Sequence, residues 1–235
     1  PYGKDLHFED IYKTCWDLMC ENHPDVPAGS TNIHQSWEVA DPEKWVPHGY
    51  VLVRVDSRGA GRSPGYLEHF SSRETQDFVD CIEWGGVQPW SNGKVGLSGI
   101  SYYAVNQWNV AAIGPKHLAA ICPWEGFNDH YRELAYHGGI YSSFQRHWYD
   151  KQILPIQHGY GDRGFRSRAN GEWAAGPETL SNEELVANRF DLHGDFISHP
   201  LDDEFYSERT PDLSKIKIPV LSCANWGGAP LHPRG

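Results

Sequence analysis

The stretch KVGLSGISYYAVNQW, residues 94–108, decides how this chain folds. Its first part, KVGLSG, is a short apolar run that predicts a strand, and SYYAVNQW after it predicts the first turns of a helix. Two serines, Ser98 and Ser101, stand at this junction, and each has a glycine two residues before it. A strand that turns directly into a helix is typical of a parallel α/β sheet, and we predict that architecture for the surrounding chain.

Ser101 is the better candidate for a nucleophile of the two serines. A nucleophile at such a junction needs small residues two positions before it and two or three positions after it. Ser101 has Gly99 before it and Ala104 after it, and the helical pattern begins at once. Ser98 is followed by residues that still continue the strand, so we predict that it packs beneath the turn. The helix N-terminus beside Ser101 would stabilise an oxyanion.

The alternation of strand and helix extends on both sides of the junction. Apolar runs predict buried strands at GYVLVRVD (49–56), HLAAICPW (117–124) and IKIPVLSCANW (216–226). Apolar spacing predicts an amphipathic helix over Glu9 to Asn22, and SSRE (71–74) resembles a capping box before another helix. Together these elements predict an α/β fold with a doubly wound, mostly parallel sheet.

Residues 127–210 interrupt this alternation. They contain many aromatic residues, glycines and charges but no comparably apolar strand, and they are too long for a simple crossover. We predict an inserted, partly helical cap over the carboxyl edge of the sheet, with one helix over Asn182 to Arg189 capped by Ser181 and Glu184. The predicted organisation is a core over 1–126, the cap over 127–210 and an incomplete return to the core sheet over 211–235.

Composition excludes several classes of partner. The chain has 20 Lys and Arg against 31 Asp and Glu, a formal net charge of −11, which predicts binding to neither nucleic acid nor an anionic membrane. No apolar stretch is long enough to span a membrane, and no signal peptide is visible in the first residues. The spacing of the histidines suits no metal site, so we predict neither metal nor cofactor. Assembly as a homo-oligomer is left open.

Cysteine usage bears on the compartment. The five cysteines are scattered, odd in number and never in a C-x-x-C pair. This pattern predicts buried free thiols in a reducing compartment and favours the cytoplasm, although a signal peptide that has been removed would leave no trace.

Four ordered blocks resemble the cocaine-esterase and X-Pro dipeptidyl-peptidase (CocE/NonD-type) family of α/β-hydrolases, which includes α-amino-acid ester hydrolases and cephalosporin acylases. The blocks are PYGK (1–4), SWEVADPEKWVPHGYVLVRVDSRGAGRSPG (36–65), WSNGKVGLSGISYYA (90–104) and PDLSKIKIPVL (211–221). The third resembles the family's W-x-x-G-x-V-G-x-x-G-x-S-Y-x-G elbow, with Ala104 in place of the last glycine. The resemblance implies an α/β-hydrolase fold, of which this chain is a partial copy.

The resemblance also implies roles for three residues. Ser101 would be the acylated nucleophile, and the two oxyanion donors would be the backbone N–H of Tyr102 and the hydroxyl of Tyr2. The implied function is a serine hydrolase that cleaves a small-molecule ester or amide through an acyl-enzyme. Alternatives are X-Pro dipeptidyl-peptidase or β-lactam acylase activity, or a non-catalytic fragment without a complete triad.

Four residues of the second block have a structural interpretation. Asp56, Arg58, Gly59 and Gly61 stand in the segment that resembles the family's D-x-R-G-x-G motif. We expect the glycines to adopt positive φ and the Asp–Arg pair to fix the turn, so that these residues shape a loop beside the site.

The chain departs from the family at the position of the triad acid. The family commonly has G-W-x-D after the strand at 216–226, whereas this chain has Asn-Trp-Gly-Gly at 225–228 and no Asp or Glu after Asp212. The family's histidine comes still later, so neither the triad histidine nor the acid is identifiable in this chain, and His232 stands too close to its strand. The acid either follows residue 235 or has moved to Glu125 or Asp129, after the strand HLAAICPW.

Several residues at strand ends are candidates for a substrate pocket. Trp124 and Trp226, with the aromatic cap, predict a pocket for an apolar or aromatic acyl group. Glu125 and Asp129 are the nearest carboxylates for binding a substrate amino group, and the alternative is that both are solvated acids at a helix start.

Overall fold

The computed structural model describes residues 1–228 and 231–232. Its α-helices are α1 (Phe8–Asn22), α2 (Pro42–Trp45), α3 (Ser72–Gly86), α4 (Tyr102–Ile113), α5 (Phe144–Trp148), α6 (Asn182–Ala187), α7 (Leu192–Ser198) and α8 (Glu204–Ser207). Its strands are β1 (Val95–Ile100), β2 (Leu118–Trp124), β3 (Tyr136–His137) and β4 (Ile140–Tyr141). Among these described residues, no helix combines the length and apolar character that crossing a membrane requires.

The predicted strand-to-helix junction is confirmed. Strand β1 ends at Ile100, and helix α4 begins at Tyr102, so that Ser101 alone separates the two elements. Helix α4 ends at Ile113 and is capped by Gly114, which adopts the left-handed conformation at φ 78° and donates its N–H to the carbonyl of Val110. The strand predicted at 117–124 is confirmed as β2.

The sheet beside the junction is parallel. Strand β1 pairs with β2, and the register places Ile100 opposite Trp124. The other edge of β2 forms parallel bridges from Ile121 to Val220 and from Trp124 to Cys223. The segment predicted as a strand at 216–226 therefore lies beside β2, paired over its central residues, and the order is β1, β2 and then this segment. Residues 229–230 and 233–235 lie outside the described residues, so the predicted 211–235 return is described only in part.

Helices α3 and α4 cover one face of β1 and β2. The apolar side chains that meet there are Val79 and Ile82 of α3, Val110 and Ala111 of α4, and Leu118 and Ile121 of β2. Burial of each such side chain contributes about 1.5 to 3 kcal/mol, so this cluster fixes the helix starts relative to the strand ends. The apolar spacing that predicted the helices therefore also determines which face of the sheet they cover.

The strand predicted at 49–56 is not formed. Val51, Val53 and Val55 are 58%, 49% and 51% exposed, and the segment has no strand pairing among the described residues. The segment is held instead by a side chain, since Arg54 donates to the carbonyls of His34 and Ala40, each at 2.7 Å. Apolar sequence supplies a tendency to extend, but a strand also needs a neighbouring backbone that completes its hydrogen bonds.

The chain forms two compact units. The first unit contains residues 1–67 and 148–190, and the second contains residues 68–147 and 191–235. The predicted cap at 127–210 contributes to both units, and helices α5 to α8 make it partly helical. Helix α6 has the predicted capping box, because the Ser181 and Glu184 hydrogen bonds are both present. The predicted boundaries at 126 and 210 stay a prediction.

Candidate active site

Ser101 occupies a strained turn. Its backbone has φ 58° and ψ −116°, a conformation that costs a residue with a side chain about 1 to 3 kcal/mol. The turn is held in place, since the Ser101 N–H donates to the carbonyl of Trp124 at 3.0 Å and the Ser101 carbonyl accepts from Ala104 and Val105. The Ser101 hydroxyl makes no capping hydrogen bond to helix α4. The hydroxyl is therefore not used to cap the helix.

Two neighbours explain why the turn can be this sharp. A Cβ atom on Gly99 would lie 2.5 Å from the Cβ of Tyr103, so only glycine allows α4 to start this close to β1. Gln107, which is buried, accepts from the Cys122 N–H at 2.9 Å and donates to the Tyr103 carbonyl at 2.8 Å. The helix is thereby fixed to the neighbouring strand β2.

Ser98 lies within β1, and the prediction that it packs beneath the turn is wrong. Its side chain is exposed, as is Gly96, whereas Val95 and Leu97 pack against the core cluster. The reason is the two-residue period of a strand, which places Ser98 on the face opposite to the core. Ser98 thus lacks the turn, the helix start and the strained backbone that distinguish Ser101.

Tyr102, the predicted oxyanion donor, is anchored by a buried polar network. Its hydroxyl donates to the Glu74 carboxylate at 2.5 Å and accepts from the Phe70 N–H at 3.2 Å. The single hydroxyl proton points to Glu74, so Nδ1 of His69, at 3.1 Å, must carry a proton and donate to the Tyr102 oxygen. Glu74 lies in the first turn of α3, where its N–H donates to Ser71. The start of α3 thus holds the start of α4.

Aromatic rings pack around this network. Phe70, which has the positive φ of 58°, stacks on Tyr102 with ring centroids 4.2 Å apart, and His130 meets the Phe70 ring edge-on at 5.0 Å. Burial lowers the pKa of His69 and of His130 to about 3. A general base at neutral pH needs a pKa nearer 7, so both imidazoles are neutral packing groups.

Glu125 lies beside Ser101 in the chain fold. The carbonyl of Trp124 accepts from the Ser101 N–H at 3.0 Å, and the N–H of Glu125 donates to the Cys223 carbonyl at 2.8 Å. The peptide between Trp124 and Glu125 is therefore held from both sides, and Glu125 has a positive φ of 53°. Its half-buried side chain makes no hydrogen bond or ion pair within the described part of the chain. The structure thus brings Ser101 and Glu125 together.

Asp129 stabilises the helical turn that follows it. Its carboxylate accepts from the backbone N–H of Arg132 at 2.8 Å and from the Arg132 guanidinium at 2.9 Å. It caps the helical turn His130–Ala135 in this way. The contacts favour the interpretation of Asp129 as an acid at a helix start.

The two tryptophans are exposed at strand ends. Trp124 is 44% exposed and Trp226 is 96% exposed. Trp124 contributes its carbonyl to the turn at Ser101, as described above. A role for either indole ring in a substrate pocket stays a prediction.

His232 packs beside the residues that follow β2. Its ring stacks on Phe127 with centroids 6.3 Å apart, and the residue is buried. Burial lowers its pKa, whereas the charge of Glu125 and the carbonyl of Gly126 act in the opposite direction. These contacts show that His232 is a packing residue, which agrees with its position close to its strand in the sequence.

Tyr2 and Asp56 belong to the first unit. Tyr2 is 3% exposed, and its hydroxyl oxygen accepts from the Trp148 indole N–H at 3.0 Å. Asp56 accepts from the backbone N–H of Lys4 at 2.6 Å and from that of Arg62 at 3.0 Å. Asp56 therefore ties the segment that carries Tyr2 to the glycine-containing loop.

The glycines of this loop have the predicted conformation. Gly59 and Gly61 have φ values of 75° and 54°. A Cβ atom on Gly61 would overlap the carboxylate of Asp56, and one on Gly59 would lie 2.7 Å from the backbone of Leu67. Within the described residues, no group of three or more His, Cys, Asp or Glu side chains is placed to hold a metal ion.

Comparison with known sequences agrees with this geometry. A sequence model of the X-Pro dipeptidyl-peptidase (S15) family matches residues 22–232. The chain is 36% identical over 97 residues to cocaine esterase of Rhodococcus sp. strain MB1 Bresler, which covers 41% of this chain and 17% of the esterase. It is 31% identical over 140 residues to a Mycobacterium bovis protein provisionally named a serine esterase, covering 58% of this chain and 21% of that protein.

A solved structure has the same fold. The crystal structure of a CocE/NonD family hydrolase from Staphylococcus aureus superposes with a TM-score of 0.74 at 38% identity. The match covers 100% of this chain and 36% of the Staphylococcus protein, so the chain spans about a third of that relative's length. Parallel strands, a strained serine between strand and helix, and this likeness together show an α/β-hydrolase fold. The chain belongs to the X-Pro dipeptidyl-peptidase (S15) family.

Proposed function

We propose that this chain carries the nucleophile of a serine hydrolase that cleaves an ester through an acyl-enzyme on Ser101. The observation that carries the proposal is the strained backbone of Ser101, with a hydroxyl that does not cap the helix that follows. Strain of this kind persists only where the surrounding structure enforces it, and it is concentrated at functional sites.

The chemical steps follow from this position. The Ser101 oxygen attacks the carbonyl carbon of the ester while a histidine base takes the hydroxyl proton, which gives a tetrahedral oxyanion. The C–O bond to the leaving group then breaks, and the protonated histidine gives its proton to the departing alkoxide. Water, activated by the same histidine, releases the acid and restores Ser101.

The oxyanion needs donors that are already in place. The first N–H groups of an α-helix have no carbonyl partner in their own helix, and Tyr102 is the first residue of α4. We propose its N–H as one donor, held by the bond from its side chain to Glu74. The Tyr2 hydroxyl stays the predicted second donor. One such donor contributes about 3 kcal/mol to lowering the barrier.

The ester is the preferred substrate class. The relatives reported above, which are 31% to 38% identical, bear the names of esterases and of a CocE/NonD hydrolase. The family description names X-Pro dipeptidyl-peptidases, so an amide after proline is the second candidate. The substrate in either case is a small molecule or short peptide.

Covalent labelling tests the proposal. We expect a fluorophosphonate probe to label the complete protein at Ser101, because the probe reacts with an activated serine hydroxyl. Ser101→Ala should abolish labelling and lower kcat/KM for a p-nitrophenyl ester by more than about 10⁴-fold. Peptide mapping by mass spectrometry identifies the labelled residue.

Ser98→Ala is the matched control, because Ser98 lies three residues away on the exposed face of β1. The Ser98→Ala protein should be labelled by the fluorophosphonate and should hydrolyse the p-nitrophenyl ester as fast as the wild type does. Labelling that survives Ser101→Ala and disappears in Ser98→Ala would contradict the assignment. Comparison of a p-nitrophenyl ester with an Xaa-Pro-p-nitroanilide, each in the wild type and Ser101→Ala, decides between the ester and the amide.

A further inference from the structure

The position at which the family commonly carries its triad acid has no carboxylate here. The strand segment at 220–223 is followed by Asn225, Trp226, Gly227 and Gly228. An imidazole that acts as a base needs a hydrogen-bond acceptor that fixes its tautomer and stabilises its protonated form. In the complete protein this acceptor is therefore a residue other than those at 225–228.

The neighbouring strand ends in a carboxylate at the same edge of the sheet. Strand β2 lies between β1, which leads to Ser101, and the segment at 220–223. The peptide between Trp124 and Glu125 accepts from the Ser101 N–H and donates to the Cys223 carbonyl. Glu125 therefore lies between the nucleophile and the strand end at which the family's acid is found.

The backbone of Glu125 is strained, as is that of Ser101. Glu125 has a φ of 53°, which is uncommon for a residue with a side chain. Glycine would adopt this conformation without the steric cost, but the chain has its glycine one position later, at Gly126. A residue with a side chain that is held at such a position is typical of functional sites.

The other carboxylates that follow β2 already have structural partners. Asp129 accepts from the backbone and guanidinium of Arg132. Glu133 accepts from the backbone N–H groups of Asn128 and Asp129, both at 3.0 Å. Glu125 makes no such bond within the described residues, and its charge reaches a neighbouring imidazole, since it acts to raise the pKa of His232 against the effect of burial.

We propose that Glu125 is the carboxylate that positions the histidine base of Ser101. This inference rests on the proposed serine-hydrolase function and adds a residue to it. Glu125 acts through the imidazole, where it accepts the N–H that faces away from Ser101, and it stabilises the imidazolium when the base takes the serine proton. This assignment places the acid at the end of β2, beside the strand that leads to Ser101.

Glu125→Gln in the complete protein tests this role, because it keeps the shape and removes the charge. We expect kcat/KM for a p-nitrophenyl ester to fall by about 10³- to 10⁴-fold with KM little changed. An adjacent anion raises the pKa of an imidazole, so the acidic limb of the pH profile should move to lower pH in the variant. Glu125→Asp should recover part of the activity.

Asp129→Asn is the matched control. It removes a carboxylate four residues later that caps a helical turn, so it should affect stability, with kcat/KM and the acidic limb of the pH profile unchanged. Glu125→Gly is a second variant. Glycine adopts the positive φ of this position without steric cost, so the variant should fold, and it should lose as much activity as Glu125→Gln.

Two results would overturn the proposal. One is a folded Glu125→Gln or Glu125→Gly protein whose kcat/KM stays within about tenfold of the wild type. The other is a loss of activity in Glu125→Gln with the acidic limb unmoved and the same loss in Asp129→Asn. Failure of the serine-hydrolase function itself is distinguishable, because Ser101 of the wild type would then remain unlabelled by the fluorophosphonate.

Discussion

Two turns of this molecule use left-handed backbone in opposite ways. In the second unit, the positive φ positions at the end of the parallel strands are occupied by Ser101 and Glu125. In the first unit, the loop after Asp56 places Gly59 and Gly61 at such positions. A glycine there removes the steric cost, whereas a serine or glutamate retains it. We expect the turn at Gly59 and Gly61 to be kept for its shape, and the turns at Ser101 and Glu125 to be kept for their side chains.

This comparison makes opposite predictions for the two turns. In the loop of the first unit, any added side chain should lower stability, and activity should suffer only as a consequence. At Ser101, removal of the side chain should relieve strain while it abolishes the chemistry. The predictions below test that contrast.

Gly61→Ala should have the largest effect on stability. An added Cβ atom would overlap the carboxylate of Asp56, which holds the N–H groups of Lys4 and Arg62. We expect the free energy of unfolding to fall by about 3 kcal/mol, from backbone strain together with displacement of this carboxylate. Denaturant unfolding of the complete protein measures the change.

Gly49→Ala is the matched control in the same unit. Gly49 has a similar φ of 84° but no atom within 4 Å of the added Cβ. It should cost only about 1 kcal/mol. Equal losses in the two variants would show that φ alone, and not the contact with Asp56, decides the need for glycine at Gly61.

Two phenol groups, one in each unit, offer the next test. We expect Tyr2→Phe to lower kcat by about 100-fold with KM little changed, because a direct oxyanion donor acts only in the transition state. Tyr102→Phe removes the bond to Glu74 but keeps the backbone N–H, so we expect a fall of about tenfold from a less well-placed donor. Steady-state kinetics with one ester substrate gives both values.

The order of these two effects decides the assignment. An unchanged kcat in Tyr2→Phe would make Tyr2 a packing residue that accepts from Trp148. A larger loss of kcat in Tyr102→Phe than in Tyr2→Phe would show that the Glu74–Tyr102 network contributes more to catalysis than the Tyr2 hydroxyl. Replacement of the adjacent Tyr103 by Phe serves as the control for loss of a phenol near the turn.

The smallest expected effect is a gain in stability. Ser101→Gly should raise the free energy of unfolding by about 1 kcal/mol, because glycine adopts φ 58° and ψ −116° at little steric cost. Ser101→Ala keeps the Cβ atom and therefore the strain, so it should leave stability near that of the wild type. Both variants should be inactive, and a Ser101→Gly protein no more stable than Ser101→Ala would contradict the comparison.

Local sequence predicted the elements that depend on neighbours in the chain. The G-x-S spacing with an immediate helix start identified the junction at Ser101, and helices α1, α3 and α6 formed where caps and apolar spacing placed them. The strand at 49–56 was as apolar as β2, yet it did not pair. The apolar composition of the two segments could not show which one forms a strand, because a strand also needs a neighbouring segment that completes its backbone hydrogen bonds.

Other features had no signal in the sequence. The pairing of Tyr102 with Glu74 joins residues 28 positions apart, and the nearest hint was the capping-box pattern that placed Glu74 in a first helical turn. Ser98 was expected beneath the turn, but the two-residue period of β1 places it on the exposed face. Glu125 was one of two candidate acids, and contacts to Arg132 separated it from Asp129.

The sequence by itself determined the family and the order of strand, turn and helix around Ser101, because these depend on short-range patterns of small, apolar and capping residues. Only the tertiary structure decided that Ser101 and Glu125 are strained neighbours, because their backbones meet across a pair of parallel strands. It also decided which carboxylates are bound by other residues, since hydrogen-bond partners are set by distance in space and not by separation along the chain.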